Sequence, residues 1–291
     1  MIRKIAVLTD SCCDIPPELC EKYGIDVMSF VITLDGVSYT ERVDFGFDAF
    51  YKMLREAQGT PSTAHITAMQ FCEKYCEYVD AGVTDLLHVT INSTGSATYE
   101  AAQMAQGLLR EERPEHHMRI HLIDSHTYSM VFGWPLCAAA QKLRNGAELR
   151  PVVEELERVY ACSEIVLAAF SLKQMKKSGR ISAAAAFAGE LLGLRPIISL
   201  NQGISKVEAK VRGDSAVIPA MIRQVKSRVD DPSSLTYQIG CTDLDCTADL
   251  IKACKKEFGR PPENVFKLGA AVASNTGPDA LAITYEGRPA R

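Results

Sequence analysis

The sequence predicts an α/β protein in two domains: an N-terminal α/β domain on a parallel sheet, and a C-terminal α/β domain with a mixed, partly antiparallel sheet. Three observations carry that expectation. The 291 residues exceed the roughly 100–200 of a typical single domain. Through the first half, short apolar runs alternate with helix-length stretches, the pattern of parallel β-α-β units. In the second half, a strand alternating with period two follows the turn Asn201-Gln202-Gly203, which signals a hairpin with one solvated face.

The elements follow in order. Residues 5–9 form a short apolar strand, and Pro16-Pro17 suits the first turn of a helix. Strands 27–34 and 37–40 flank Asp35-Gly36, a strong two-residue hairpin signal. Residues 47–57 and 69–79 read as helices, the second opening on Thr67 and Gln70 in a capping-box pattern. Strand 85–91, helix 97–109, strand 119–123 and helix 127–143 come next, with a further helix near 151–160. Strand 165–170 then leads to the basic segment 172–181 and a small-residue helix over 182–192. The hairpin 196–200 and 205–211 follows. Helices near 216–229 and 247–258 interleave with strands 235–240, 265–273 and 280–285. The boundary is expected near residues 158–164, giving domains 1–160 and 161–291. No repeat, low-complexity segment or flexible linker separates them, so they should pack closely.

Composition excludes several classes. With 47% hydrophobic residues the chain can build a large core. A net charge of −4 argues against a nucleic-acid or anionic-membrane surface. No apolar run approaches the roughly 18–20 residues of a membrane span. The opening residues 1–10 end in an acid and read as a strand, not a signal peptide, so the expected location is cytoplasmic. Ten cysteines include no C-x-x-C pair and no Cys/His quartet with zinc spacing. Cys72 and Cys76 lie at i, i+4 on a predicted helix, and read as reduced thiols. The cluster His116, His117 and His121 carries no metal pattern.

Two hydroxyl-rich loops stand out, residues 63–67 and 91–99. Each precedes a helix-like stretch, where free amides and the helix dipole favour an anion. Neither contains a Lys or the G-x-x-x-x-G-K-[ST] cradle, so a small anionic head fits better than a nucleotide. Asp10-Ser11 and Asp124-Ser125 end two strands alike. In an open parallel sheet Ser11, Ser93 and Ser125 would line one crevice, although Asp-Ser there is equally good turn and cap chemistry. A hydrolase reading would take Ser93 or Ser96 as nucleophile, His88 or His126 as base and Asp124 as orienting acid. Residues 92–96 lack the G-x-S-x-G elbow, however. Asp10, Asp14, Asp44, Asp48 and Asp124 show no paired spacing for acid–base or Mg²⁺ chemistry. No G-x-G-x-x-G follows a strand. Binding remains: Thr63, Ser93 and Ser96 can donate to a carboxylate, each such bond contributing roughly 1.5–3 kcal/mol.

Taken together, six motifs in order resemble the DegV family of bacterial fatty-acid-binding proteins, which serve in many Firmicutes as the lipid-binding subunit of a fatty-acid kinase. Asp10-Ser11 looks like the family's D-S opening. Residues 63–67 are similar to T-S-Q-P-S, and residues 91–99 to I-S-S-x-L-S-G-T-Y. Residues 177–181 resemble G-G-R-I, followed by an apolar helix, Arg195-Pro196 and Lys210-Val211-Arg212. Residues 275–281 are similar to H-V-G-P-G-A-L. The resemblance implies carboxylate contacts at Thr63 and Ser93, with Ser96 nearby, and a head-group pocket closed by Asn275 and Gly277. Asn275 replaces the family's His and can donate a hydrogen bond but cannot become a cation; His65, where the family has Gln, is expected to restore some of that charge compensation. Asp279 is a further departure. Arg180 matches the G-G-R-I arginine, near where acyl phosphate and kinase partner are expected. The resemblance further implies no catalytic residue, metal or cofactor, with a long-chain fatty acid as ligand. Its implied partners are a fatty-acid kinase catalytic subunit and an acyl-phosphate acyltransferase of phospholipid synthesis. No nucleic acid is implied, and membrane contact is at most transient.

Overall fold

The computed structural model of the chain describes residues 3–170, 173–180 and 193–288. Strand β1 (Ile5–Asp10) leads to α1 (Pro17–Tyr23), with Pro17 in the first turn where its missing N–H costs nothing. Strand β2 (Ile25–Met28) is followed by the hairpin β3 (Val31–Leu34) and β4 (Val37–Thr40), and both turn residues, Asp35 and Gly36, have positive φ. Helix α2 (Phe47–Glu56), strand β5 (Ser62–Ala64) and helix α3 (Ala68–Asp80) come next. The expected capping box opens α3: the Gln70 amide donates to Thr67 Oγ1 at 3.3 Å, and the Thr67 amide to Gln70 Oε1 at 2.9 Å. Strand β6 (Asp85–Thr90), helix α4 (Thr98–Glu112), strand β7 (Arg119–Asp124) and helices α5 (Met130–Arg144) and α6 (Leu149–Cys162) complete the first half.

As expected, the first sheet is parallel, in the order β2-β1-β6-β7. One expected strand, 27–34, is two. Its first part pairs with β1, and its second turns into a small antiparallel sheet of order β4-β3-β5. The break falls at Phe30, whose amide donates to Ser11 Oγ at 2.9 Å and whose carbonyl accepts from the Glu41 amide. Those partners lie far along the chain, so local pattern could not reveal the break.

The second half begins with β8 (Ser163–Ala169) and α7 (Lys173–Ser178). The small-residue stretch 182–192 lies outside the described residues. The hairpin β9 (Leu194–Asn201) and β10 (Ile204–Arg212) turns on Gln202 and Gly203, both at positive φ. Helix α8 (Val217–Arg228), strand β11 (Tyr237–Cys241), helix α9 (Ala248–Phe258), strand β12 (Asn264–Lys267), helix α10 (Ala270–Thr276) and strand β13 (Ala280–Glu286) follow. The sheet order is β10-β9-β8-β13-β11-β12, antiparallel except between β11 and β12. The expected strand 265–273 stops at Lys267, and Ala270 opens a helix. A short apolar run is ambiguous between strand and helix; here the buried Glu41 carboxylate accepts from the Ala271 amide at 2.8 Å and satisfies the helix start.

Each strand of the mixed sheet presents alternate residues to opposite faces. Val166, Ala168, Leu281 and Ile283 pack with α8 and α9 in one core. Ile165, Leu167, Ile198, Leu200, Ala280 and Ala282 face the other way and meet Val131 of α5. That is why β8 is buried at every residue. The largest core joins residues of the first half to Phe266–Ala273, so β12 and α10 pack into it. The hairpin turn also reaches across: Thr94 Oγ1 donates to the Gly203 carbonyl at 3.2 Å, and Gln202 Nε2 to the Tyr160 carbonyl at 2.9 Å. A side chain at Gly203 would lie 2.6 Å from Asn92 Oδ1, so this approach requires glycine.

Candidate functional site

A cavity of about 270 Å³ lies between the second sheet's inner face and the first half. Four of the sequence-expected residues, Thr63, Ser96, Asn275 and Arg180, share its wall. Each comes from a different element. Thr63 sits in the edge strand β5, opposite Ile32. Ser96 belongs to the loop between β6 and α4. Asn275 lies in the last turn of α10, and Arg180 follows α7, which packs on α10. Exposure orders the wall. Arg180 and His65 are exposed and Thr63, Ser96 and Asn275 half-buried, whereas Val131, Leu167, Leu200, Phe266 and Ala282 are buried. The cavity is therefore polar at its rim and mainly apolar within, where Ser129, Thr276 and Thr284 are buried polar wall residues.

The rim's hydrogen bonds leave capacity for a ligand. Asn275 Nδ2 donates to the Ala271 carbonyl at 2.8 Å, Ser96 Oγ pairs with Thr98 Oγ1 at 2.7 Å, and Arg180 Nη1 donates to the Ser178 carbonyl at 2.9 Å. A guanidinium has five N–H donors, so one such bond leaves most of them for an anion. The apolar floor has a graded shape. One register row runs Phe266, Gly240, Ala282, Leu167, Ile198. A side chain at Gly240 would lie 2.8 Å from the Phe266 ring, so the small centre of the row is where that ring settles.

Ser93 and Gly277 stand beside the cavity and not among its wall residues. The Ser93 amide donates to Asp124 Oδ1 at 3.2 Å. Gly277 ends α10 at φ 95°, and a side chain there would meet Gln174 Oε1 at 3.1 Å. The expected crevice of Ser11, Ser93 and Ser125 does not form. Ser11 Oγ donates to Glu41 Oε2 at 2.5 Å, and Ser125 Oγ to the Thr127 carbonyl at 3.3 Å; both residues are buried. The two Asp-Ser strand ends serve turn chemistry instead. Asp10 accepts from the Ile91 amide at 2.8 Å and Asp124 from the Ser93 and His126 amides, so two flanking strands clamp the loop that carries Ser96.

The hydrolase constellation is not assembled. His88 is fully buried beside Phe71, and its Nδ1 lies 2.7 Å from the Tyr75 hydroxyl; burial pushes its pKa down to about 3. His126 Nδ1 does lie 3.0 Å from Asp124 Oδ2. Neither the Ser93 nor the Ser96 hydroxyl bonds a histidine among the described residues. Among those residues no group of three or more His, Cys, Asp or Glu could hold a metal, and no helix is long and apolar enough to cross a membrane.

Several important residues escape sequence reasoning. Tyr128, Ser129 and Val131 line the cavity. Asn92 Nδ2 donates to the Tyr128 hydroxyl at 2.7 Å, and a side chain at Gly95 would lie 2.6 Å from that oxygen. Glycine in the I-N-S-T-G-S run thus lets the loop close over Tyr128. Three buried carboxylates, Asp10, Asp14 and Glu41, underlie the site. Burial pushes Asp10 up to about 7, and burial with the neighbouring Glu41 raises Asp14 well above the carboxylate range. Ser129 donates to Asp14. The sequence offers Asp10 and Asp14 without a paired spacing, and Glu41, after the hairpin, has no distinguishing pattern.

Fold and cavity together define an α/β protein organised around an amphipathic cavity, with donors at the rim and aliphatic side chains within. The chain belongs to the DegV family: the family described as "Uncharacterised protein, DegV family" matches residues 4–288. A DegV domain-containing protein of Clostridium perfringens is 28% identical, over 97% of this chain and 98% of its own. Among solved structures, a fatty-acid-binding DegV family protein from Thermus thermophilus superposes with a TM-score of 0.82 at 25% identity, covering 98% of this chain and all of that one. A stearic-acid-binding protein from Eubacterium ventriosum gives 0.87 at 21% identity, over 98% of each chain, which bears on fold alone.

Proposed function

We propose that this protein binds a long-chain fatty acid in the cavity and presents its carboxylate to a partner fatty-acid kinase for acyl-phosphate formation. The observation that carries the reading is the ordering of the wall, from the donors Thr63, Ser96, Asn275 and Arg180 at the rim to buried Val131, Leu167 and Ala282 within. Burying a hydrocarbon chain contributes about 0.8 kcal/mol per methylene. Burying an unpaired carboxylate costs several kcal/mol, which the rim donors offset. Residues 1–160 then carry the carboxylate-binding loops, with Ser93 setting the position of the loop, and residues 161–291 cover the chain. Gly277 shapes the same end by ending α10.

The protein supplies the acid, not the phosphoryl chemistry: it acts as a carrier subunit, with no catalytic group of its own. Arg180, exposed at the rim, suits a newly formed phosphate or the kinase surface, because a rigid guanidinium fork binds phosphate bidentately. The acyl phosphate then passes to an acyltransferase of phospholipid synthesis. Mass spectrometry of lipid extracted from purified protein tests the reading. A long-chain fatty acid at about one per chain is expected. Lipid-free protein with no affinity for fatty acid in fluorescence displacement overturns it.

A further inference from the structure

A second cavity of about 220 Å³ lies under helix α5, and it shares two wall residues, Val131 and Thr284, with the first. The shared residues stand between the two cavities and trace one candidate path. On β13, Ala282 lines the first cavity, Thr284 both, and Glu286 the second; alternate residues of a strand share one face. Along α5, Val131 lines both cavities, and Trp134, Pro135, Ala138 and Lys142 line the second. These lie at i, i+3, i+4, i+7 and i+11, one stripe of a helix. Both cavities thus share that sheet face and helix stripe; Val152, Leu156 and Val159 of α6 add apolar wall to the second, and Gln238, Glu263 and Glu286 give it a polar side. The path ends at a solvated rim where Lys142 pairs with Glu155.

Composition of α5 supports the same path. Phe132, Leu136 and Ala140 turn into the large core, and the neighbouring stripe, whose Trp134 packs at that core's edge, is also apolar until Lys142. A helix apolar along both stripes is ordinarily buried on both, and Trp134 and Pro135 are only half-buried. An acyl chain lying along the stripe would complete their burial.

We propose that the methyl end of the bound acyl chain passes between Val131 and Thr284 into the second cavity beneath Trp134, so that this pair governs the chain length accepted. The inference rests on the fatty-acid reading and extends it. Each methylene that enters adds roughly fourfold in affinity, so affinity keeps rising with chain length beyond what the first cavity holds.

Trp134 is the only tryptophan of the chain, so its fluorescence reports the second cavity alone. Purified, delipidated protein is titrated with 10-bromodecanoic and 16-bromohexadecanoic acid, whose terminal bromine quenches on contact, and binding is followed separately by calorimetry. Quenching by the bound longer acid and not by the bound shorter one is expected. Thr284→Leu and Val131→Phe should each abolish that quenching and lower the ratio of hexadecanoate to decanoate affinity at least tenfold. If either variant fails to fold, the other and the wild-type quenching still decide. Binding of both acids without length-dependent quenching overturns the path and leaves the fatty-acid reading standing. Absence of binding by either acid overturns both.

Discussion

Thr63, within β5, and Ser93, in the loop after β6, both carry hydroxyls, but only Thr63 is on the cavity wall. Thr63→Val removes a donor to a buried carboxylate and is expected to cost roughly 1.5–3 kcal/mol, about 10- to 150-fold in fatty-acid affinity. Ser93→Ala keeps the amide bond to Asp124 and should cost less than about threefold by the same reasoning. Fluorescence displacement on both variants, with melting curves alongside, checks this; equal losses would bring Ser93 into the head-group set. Arg180→Ala should bind fatty acid almost normally but support little acyl-phosphate formation when partner kinase and ATP are added. Full activity there would leave Arg180 as a cation at a helix end. Asp10 makes a pH prediction. Its pKa rises from about 3.9 unfolded to about 7 folded through burial, so the folded state holds its proton more tightly. Its contribution to stability is complete below pH 4 and is lost as pH rises through 7. Wild type should therefore lose on the order of a few kcal/mol relative to Asp10→Asn across that window. Parallel urea-unfolding profiles for the two proteins would sink the assignment.

Secondary elements meet closely where glycine permits. In α5, a side chain at Gly133 would lie 2.3 Å from the Cys13 carbonyl oxygen and 2.8 Å from Ile15. Backbone cannot swing aside as a flexible side chain does, so Gly133→Ala is expected to destabilise by more than about 2 kcal/mol in urea unfolding. A change within about 0.5 kcal/mol, the range of neutral surface substitutions, would show that α5 can slide. Most elements were legible because their signals are local: the capping box of Thr67 and Gln70, the turns at Asp35-Gly36 and Gln202-Gly203, and the alternation of β10. The two corrected elements have distant causes. Phe30 breaks a strand through bonds to Ser11 and Glu41, and Glu41 caps α10, 230 residues away.

At the scale of the whole molecule, a ligand that bridges the two halves should couple occupancy to stability. Delipidated protein is expected to melt lower than the lipid-loaded form, and added fatty acid at 100 times its Kd should restore about 2.7 kcal/mol. Calorimetric scans with and without acid measure it; an unchanged transition at saturating acid would contradict binding to the folded state. The family resemblance added Asn275, Gly277 and Arg180 as site candidates; the sequence by its own patterns determined the α/β class, the parallel first sheet, the antiparallel hairpin and the hydroxyl loops with Thr63, Ser93 and Ser96. Those features rest on periodicity, turn chemistry and short motifs, each contained within a dozen or so residues. Tertiary structure alone decided that Thr63, Ser96, Asn275 and Arg180 share one cavity, that Ser11 and Ser125 are consumed internally, and that Val131 and Thr284 stand between two cavities. A cavity is the space left where distant elements meet, and its walls depend on which faces pack together, which no local pattern encodes.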